Sequence, residues 1–257
     1  MPITDHRLVF DAIPEQFDRW RVRYSPELFA HIVRTCGLGP GKRCLEIGPG
    51  TGQATDFALD AGCDYLAIEL GAHLAERMRE KYASRPNFRI VNADFETWPF
   101  EGERFDLIYS AAAIQWIREE VAYQRCFELL EPGGWLAMFL LSGNYRDSDP
   151  DLYADIQRVY DACFVSDQPY RQKFDYMNGT AYGLEFAEKA VFAGRREYTA
   201  DEYLQYLGTH SDHITLNERH RKPFFDGIRE AILRHGGRVV FDDSYILYLY
   251  RKPAATD

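Results

Sequence analysis

From residue 26 onward, short apolar runs alternate with stretches whose apolar residues recur at helical spacing, and this rhythm limits the possible folds more than any other feature. Helical patterns are expected over 26–36, 53–61, 72–82 and 118–130. Between and after them, strands are expected over 44–47, 65–69, 88–91, 105–110 and 135–141. Such alternation predicts a mostly parallel sheet with helices on both faces, because parallel neighbours must be joined by crossovers. Local punctuation agrees. Ser25-Pro26-Glu27 reads as an N-cap, a proline at the first helical position and a first-turn acid. Gly37 and Gly62 suit helix ends, where a left-handed residue closes the last turn. With 257 residues, 46% of them hydrophobic, the chain can bury a full core as a single α/β domain.

After residue 142 the rhythm breaks. Residues 144–150 are polar and turn-rich, and 151–188 read as helical and aromatic. A strand is expected over 190–198, followed by a helix opened by Thr199-Ala200-Asp201-Glu202. A longer helix is expected over 217–235, ended by Gly236-Gly237, and an edge or near-edge strand over 245–251. The aromatic residues Tyr160, Phe164, Tyr170, Phe174, Tyr176 and Tyr182 fit either a ring-lined pocket or ordinary core. The two ends are expected to be mobile.

Composition weighs against several function classes. A net charge of −10 repels a phosphate backbone, which argues against a nucleic-acid partner. The five cysteines include no C-x-x-C pair, as expected for reduced thiols in a cytoplasm rather than a disulfide framework or zinc site. The opening stretch has no apolar signal region, and the run 135–141 is too short to span a bilayer, so no membrane partner is expected. No metal site is expected, since His210-x-x-His213 stands alone.

The chemistry concentrates in Glu46-Ile47-Gly48-Pro49-Gly50-Thr51-Gly52, where a strand gives way to a helix. Glycines at alternate positions permit a tight turn and close approach of backbone to a ligand. A ligand-free glycine turn is the plainer alternative. Two nucleotide readings fit less well: the dinucleotide fingerprint needs glycine where Gln53 stands, and the P-loop's Gly-Lys-Ser/Thr is absent. Glu46 would repel a phosphate but suits a cationic amino-acid ligand.

These residues resemble the first motif of class I S-adenosylmethionine-dependent methyltransferases, an acid followed by G-x-G-x-G. The resemblance implies a Rossmann-like sheet, mostly parallel with an antiparallel last strand, and a helical insert after the fifth strand. It implies S-adenosylmethionine as cofactor, with Glu46, Gly48, Gly50, Gly52 and Gln53 around its methionine part. Glu69 ends the second strand, where a carboxylate accepts from a ribose diol, and Leu70 packs beside it. A surface acid is the alternative for Glu69. Asp94 and Phe95 follow the third strand and would meet the adenine, a turn cap being the alternative for Asp94. The small residues after the fourth strand, with Ser110, Ala111 and Gln115, would let cofactor lie against backbone. This run is similar to that of the trans-aconitate methyltransferase-like group, which carries Gln-Trp or His-Trp at its end. Trp116 would then face the acceptor, or else pack in the core. The entry segment matches more loosely; there Arg21 or Tyr24 would bind the cofactor carboxylate, with a solvated basic face as the alternative.

The resemblance is specific over 14–142 and weaker beyond, where Thr209, Ser211, His213, Arg221 and Gly236-Gly237 match a late stretch of some bacterial members. It divides the single domain 1–257 into an N-terminal cap (1–38), a cofactor-binding core (39–142), helical substrate-side insertions (143–188 and 199–236) and final strands (189–198 and 237–251). Tyr160 and His213 are expected on the substrate side. Methyl transfer from a sulfonium is an in-line displacement, for which the protein supplies alignment and water exclusion. A carboxylate or thiolate acceptor needs no general base. For a hydroxyl or amine, His213, His210 or Tyr24 would be the candidates. The basic side chains His213, Arg219, His220, Arg221 and Lys222 would attract an anionic acceptor, or form a solvated helix start. The expected activity is therefore methylation of a small-molecule acceptor. The alternatives are a methyltransferase acting on RNA or protein, a nicotinamide oxidoreductase, and a non-catalytic binder of S-adenosylmethionine.

Overall fold

The computed structural model describes residues 5–166 and 173–254. In chain order the elements are α1 (Pro14–Trp20), α2 (Pro26–Cys36), β1 (Arg43–Ile47), α3 (Asp56–Asp60), β2 (Asp64–Glu69), α4 (Ala72–Lys81), β3 (Phe88–Asn92) and β4 (Phe105–Ala111). Then come α5 (Glu119–Leu129), β5 (Leu130–Asn144), α6 (Pro150–Cys163), β6 (Glu185–Thr199), α7 (Ala200–Leu207), α8 (Ser211–Ile214), α9 (Glu218–Arg234) and β7 (Arg238–Arg251). Among the described residues these strands form one seven-stranded sheet in the order β3-β2-β1-β4-β5-β7-β6. β1 pairs in parallel with β2 and β4, β2 with β3, and β4 with β5. The last strand is antiparallel: Gly133 N–H donates to Lys252 O at 3.0 Å, and Lys252 N–H returns a bond to Gly134 O at 2.8 Å.

The chain divides into two compact units. One comprises Val22–Leu141, Gln172–Phe192 and Tyr245–Asp257 and carries a core on each face of the sheet. Alternation along the strands sorts the residues. Leu45, Ile47, Leu66, Ile68, Ile108 and Met138 pack with Tyr123 and Cys126 of α5. Cys44, Tyr65, Ala67, Leu107, Tyr109 and Phe139 pack with Leu28 and Ile32 of α2, Phe57 of α3 and Met78 of α4. Fully burying a side chain such as Leu28 or Ile32 contributes about 1.5–3 kcal/mol. The helix ends follow the local chemistry. Ser25 Oγ accepts the Glu27 N–H at 3.2 Å, Pro26 opens α2, and Gly37 closes it with φ of 61°.

The other unit comprises Met1–Arg21, Ser142–Arg171 and Ala193–Ser244. Its core joins Leu152 and Ile156 of α6, Tyr203, Leu204 and Leu207 of α7, and Phe224, Ile228 and Ile232 of α9. Thr199 and Glu202 form the capping box that starts α7.

Several elements differ from the sequence expectation in extent. The helix expected over 53–61 begins at Asp56, because Gln53 Oε1 accepts the Thr51 N–H (3.2 Å) and its Nε2 donates to Thr51 Oγ1 (2.7 Å), holding the preceding residues as a turn. The strand expected over 135–141 runs from Leu130 to Asn144, since the Gly133-Gly134 turn pairs with Lys252. Of the segment expected to be helical over 151–188, helix occupies Pro150–Cys163 and a 3-10 turn Asn178–Tyr182. Tyr170 and the termini at 1–4 and 255–257 lie outside the described residues. Near the N-terminus a 3-10 helix (His6–Ala12) and α1 are present, with Phe10 edge-on to Phe17 at 5.4 Å.

Candidate functional site

Glu46 is the fourth residue of β1 and is fully buried. Its side chain lies on the sheet face shared by Tyr65 and Tyr109. Three hydroxyls donate to a single carboxylate oxygen, Oε2: Tyr65 at 2.5 Å, Thr55 at 2.7 Å and Tyr109 at 3.0 Å. Oε1 is buried without a hydrogen-bond partner. Burial pushes the carboxyl up to about 6, and the three hydroxyls hold it there against a larger rise.

Past β1 the chain turns through three left-handed glycines, with φ of 65° at Gly48, 61° at Gly50 and 88° at Gly52. At Gly48 a β-carbon would sit 2.6 Å from the Ala113 Cβ, so the loop following β4 lies directly against this turn. The carbonyls of the turn are held by side chains: Lys81 Nζ donates to Thr51 O (2.8 Å), while Arg23 and Tyr82 both reach Gly52 O at 3.4 Å. Glu69, at the end of β2, takes the Gly50 N–H on Oε2 (3.0 Å) and the Gly71 N–H on Oε1 (2.8 Å). It thus ties the glycine turn to the start of α4. A carboxylate offers about four acceptor positions, so this bonding is compatible with a diol contact.

Asp94 Oδ1 accepts the Glu96 N–H at 2.9 Å, the turn-cap geometry, and Phe95 is buried against Phe100. Ser110 is buried, with Oγ donating to Ile47 O at 2.9 Å, which staples the end of β4 to the end of β1. Leu70, Ala111, Gln115 and Trp116 are half-buried in the same unit. Tyr24 belongs to that unit too, edge-on to Phe139 at 4.9 Å.

Arg21, Tyr160, His210 and His213 belong to the other unit, as do Phe10, Phe17, Phe164, Thr209 and Phe224, which surround them. Arg21 approaches Thr209 O at 3.4 Å and stands over the Phe10 and Phe17 rings. His213 Nε2 pairs with Tyr160 Oη at 2.8 Å amid Phe164 and Phe224. Burial, then the Arg221 charge, drives His213 down to about 3; burial also drives His210 well below its ordinary value. Both imidazoles are therefore neutral near pH 7, and His213 holds a proton weakly. Among the described residues no group of three His, Cys, Asp or Glu could hold a metal ion, and no helix is long and apolar enough to cross a membrane. All five cysteines are free.

The sequence did not point to Thr55, Tyr65 and Tyr109 as the binders of Glu46, nor to Lys81 and Tyr82 as holders of the glycine turn. Both tyrosines sit in apolar runs and read as core. Lys81 and Tyr82 close a helix whose spacing reveals only one buried face.

Parallel strands around β1, an antiparallel last strand, a left-handed glycine turn at the β1 end and an acid ending β2 are together the features of a class I S-adenosylmethionine-dependent methyltransferase domain. Its residues fit that cofactor in the chemistry of the donor set: beside the glycine turn, Glu46 Oε1 is a buried carboxylate oxygen left without a partner. Residues 45–138 match the methyltransferase domain family, and the fold and this match support S-adenosylmethionine as the cofactor. A malonyl-[acyl-carrier protein] O-methyltransferase of Enterobacter lignolyticus is 37% identical over 112 residues, covering 43% of this chain and 42% of that protein. A trans-aconitate 2-methyltransferase of Paracidovorax citrulli is 30% identical over 131 residues, covering 49% and 48%. Ribosomal RNA methyltransferases are also among the relatives. The matches thus span about half, or less, of these proteins' lengths. The Phospholethanolamine N-methyltransferase 2 of Haemonchus contortus, solved with phosphomonomethylethanolamine and S-adenosylhomocysteine, shares the fold at a TM-score of 0.57 and 16% identity, covering 98% of this chain and 61% of that one.

Proposed function

We propose that this chain transfers a methyl group from S-adenosylmethionine to a small-molecule acceptor of anionic character, in the cytoplasm. The observation that carries the reading is the glycine turn pinned by Glu69 beside a buried, raised-pKa Glu46. When bound, the cofactor supplies an electrophilic methyl on a sulfonium. The chain supplies the rest. Side chains of Arg23, Lys81 and Tyr82 hold the carbonyls of Thr51 and Gly52, which leaves the inner side of the turn to the methionine part. Gly48, Gly50, Gly52 and Gln53 line that part, Glu69 and Leu70 the ribose, Asp94 and Phe95 the adenine, and Ser110, Ala111 and Gln115 the remaining wall. Orientation of this kind lowers a barrier by about 7–11 kcal/mol in favourable cases. On this reading 39–142 is the cofactor-binding core, and 143–188 and 199–236 are substrate-side insertions.

A small acceptor is supported by the net charge of −10, unfavourable for a phosphate backbone, and its anionic character by the basic run around Arg219, Arg221 and Lys222. Free thiols support a reducing compartment. The test is calorimetry with S-adenosylmethionine, S-adenosylhomocysteine and NAD, followed by turnover assays against di- and tricarboxylic acids and a short RNA. Expected are binding of the first two ligands and turnover on a carboxylic acid. Binding of NAD alone sinks the reading; turnover on RNA alone favours a nucleic-acid methyltransferase; cofactor binding without turnover on any metabolite pool favours a non-catalytic binder.

A further inference from the structure

Ala112 follows the last residue of β4 with φ of 51°, a left-handed conformation that a β-carbon disfavours. Its N–H donates to Phe139 O at 2.8 Å, and its carbonyl accepts from Gln115 Nε2 at 2.9 Å. The next residue, Ala113, carries the methyl group that abuts Gly48. The strained residue therefore sets where the loop following β4 meets the glycine turn. Gln115 is fixed in turn from a distant part of the chain. Tyr176, just before the 3-10 turn Asn178–Tyr182, donates its hydroxyl to Gln115 Oε1 at 2.8 Å. All four residues belong to one compact unit.

Tyr176 makes two separable kinds of contact. Its buried ring stacks on Tyr248 (5.2 Å, 24°) and meets Phe174 edge-on at 5.2 Å. Those are packing contacts, which phenylalanine would keep. The hydroxyl adds no packing there; it orients a carboxamide whose other end holds Ala112.

Resting on the methyltransferase reading above, we propose that Tyr176 is a positioning residue for the cofactor-facing loop 112–116: through Gln115 it keeps Ala112 left-handed and Ala113 against Gly48. Without the hydroxyl, Gln115 loses a bond that orients it, Ala112 relaxes towards ordinary backbone, and the loop beside the turn moves.

The test is calorimetry of S-adenosylhomocysteine and S-adenosylmethionine binding to the full chain, with thermal unfolding run on each variant. Tyr176→Phe is expected to weaken both ligands about three- to tenfold, the worth of one hydrogen bond, with little change in melting temperature. Gln115→Ala should cost about as much, and the double variant no more than either alone, because both act through one link. Ala112→Gly in the Tyr176→Phe background should restore affinity, since glycine takes positive φ without strain. Losses that multiply in the double variant, or a Tyr176→Phe defect that Ala112→Gly leaves untouched, overturn the proposal in favour of a packing role. Unaltered binding by Tyr176→Phe overturns it while leaving the methyltransferase reading intact. A wild-type chain that binds neither ligand overturns that reading and this proposal with it.

Discussion

The Tyr65 hydroxyl donates to Glu46 Oε2 at 2.5 Å, and the two residues lie on adjacent parallel strands inside the sheet's core. The contact is one of three hydroxyl bonds that make a fully buried carboxylate tolerable. An ionised carboxyl without such donors would be expensive to bury. Here burial still prevails over the hydroxyls, and the group titrates at about 6 instead of 4.5.

That shift has a definite sign for stability. The folded chain holds the Glu46 proton more tightly than the unfolded chain does. Between about pH 4.5 and 6 this group therefore makes stability fall as pH rises, by about 2 kcal/mol in all, and it adds no slope above that window. Glu46→Gln should remove this component, so that the stability difference between variant and wild type grows in the variant's favour across the window and then levels off. Urea unfolding at half-unit steps from pH 4 to 8 measures it. A difference independent of pH would show that Glu46 titrates normally.

The same charge should sort the two forms of the cofactor. S-adenosylmethionine carries a sulfonium that S-adenosylhomocysteine lacks, and a carboxylate in a poorly solvated site distinguishes them more strongly than one in water. Glu46→Gln is expected to weaken the sulfonium form more than the neutral thioether. In the wild type, preference for the sulfonium form should decline as pH falls through about 6. Calorimetry with both ligands at pH 5 and 7.5 decides this; an equal loss for both would place Glu46 too far away to act by charge.

Gly48 and Gly41 make a controlled pair. Both have positive φ, 65° and 86°, but a β-carbon would strike Ala113 at the first and meet nothing within 4 Å at the second. Gly41→Ala should cost about 1–2 kcal/mol of stability from the backbone alone and leave cofactor affinity unchanged. Gly48→Ala should add displacement of the loop beyond β4 and reduce affinity more than about tenfold, the equivalent of 1.4 kcal/mol. Matching effects on affinity at both positions would mean that the contact with Ala113 does not matter.

The frame and the acids were legible because periodicity and motif spacing are local properties. The expected strand 65–69 corresponds to Asp64–Glu69, and the helix opened by Pro26 ends at Gly37 as its punctuation implied. Less legible was whatever depends on partners distant in sequence. The extension of β5 over Gly133 and Gly134 is imposed by Lys252, and the start of α3 is delayed by side-chain bonds between Thr51 and Gln53. Glu46 was legible as an acid beside the turn, but its three hydroxyl donors were not, since Tyr65 and Tyr109 look like core rings until the strands are laid side by side. The link from Tyr176 to Gln115 was hidden for the same reason.

A last prediction concerns the unit that contains α7 and α9. Asp243 is fully buried, and Arg196 meets it in a two-pronged contact, with Arg196 Nη2 donating to Oδ1 at 2.9 Å and Nε donating to Oδ2. The guanidinium also donates to Tyr198 Oη at 2.8 Å and stands over the Tyr206 and Phe241 rings at 5.0 and 5.1 Å. Exposed ion pairs contribute little, but removing one partner of a buried pair strands a charge in a poorly solvated site. Asp243→Asn is therefore expected to destabilise the chain by about 3–5 kcal/mol. Replacing both partners, as in Arg196→Met with Asp243→Leu, should cost much less than the single change, because no charge is left behind. Urea unfolding of the full chain at pH 7 compares the three proteins. A single-variant cost below about 1 kcal/mol, typical of exposed pairs, would mean that water reaches Arg196 and compensates it.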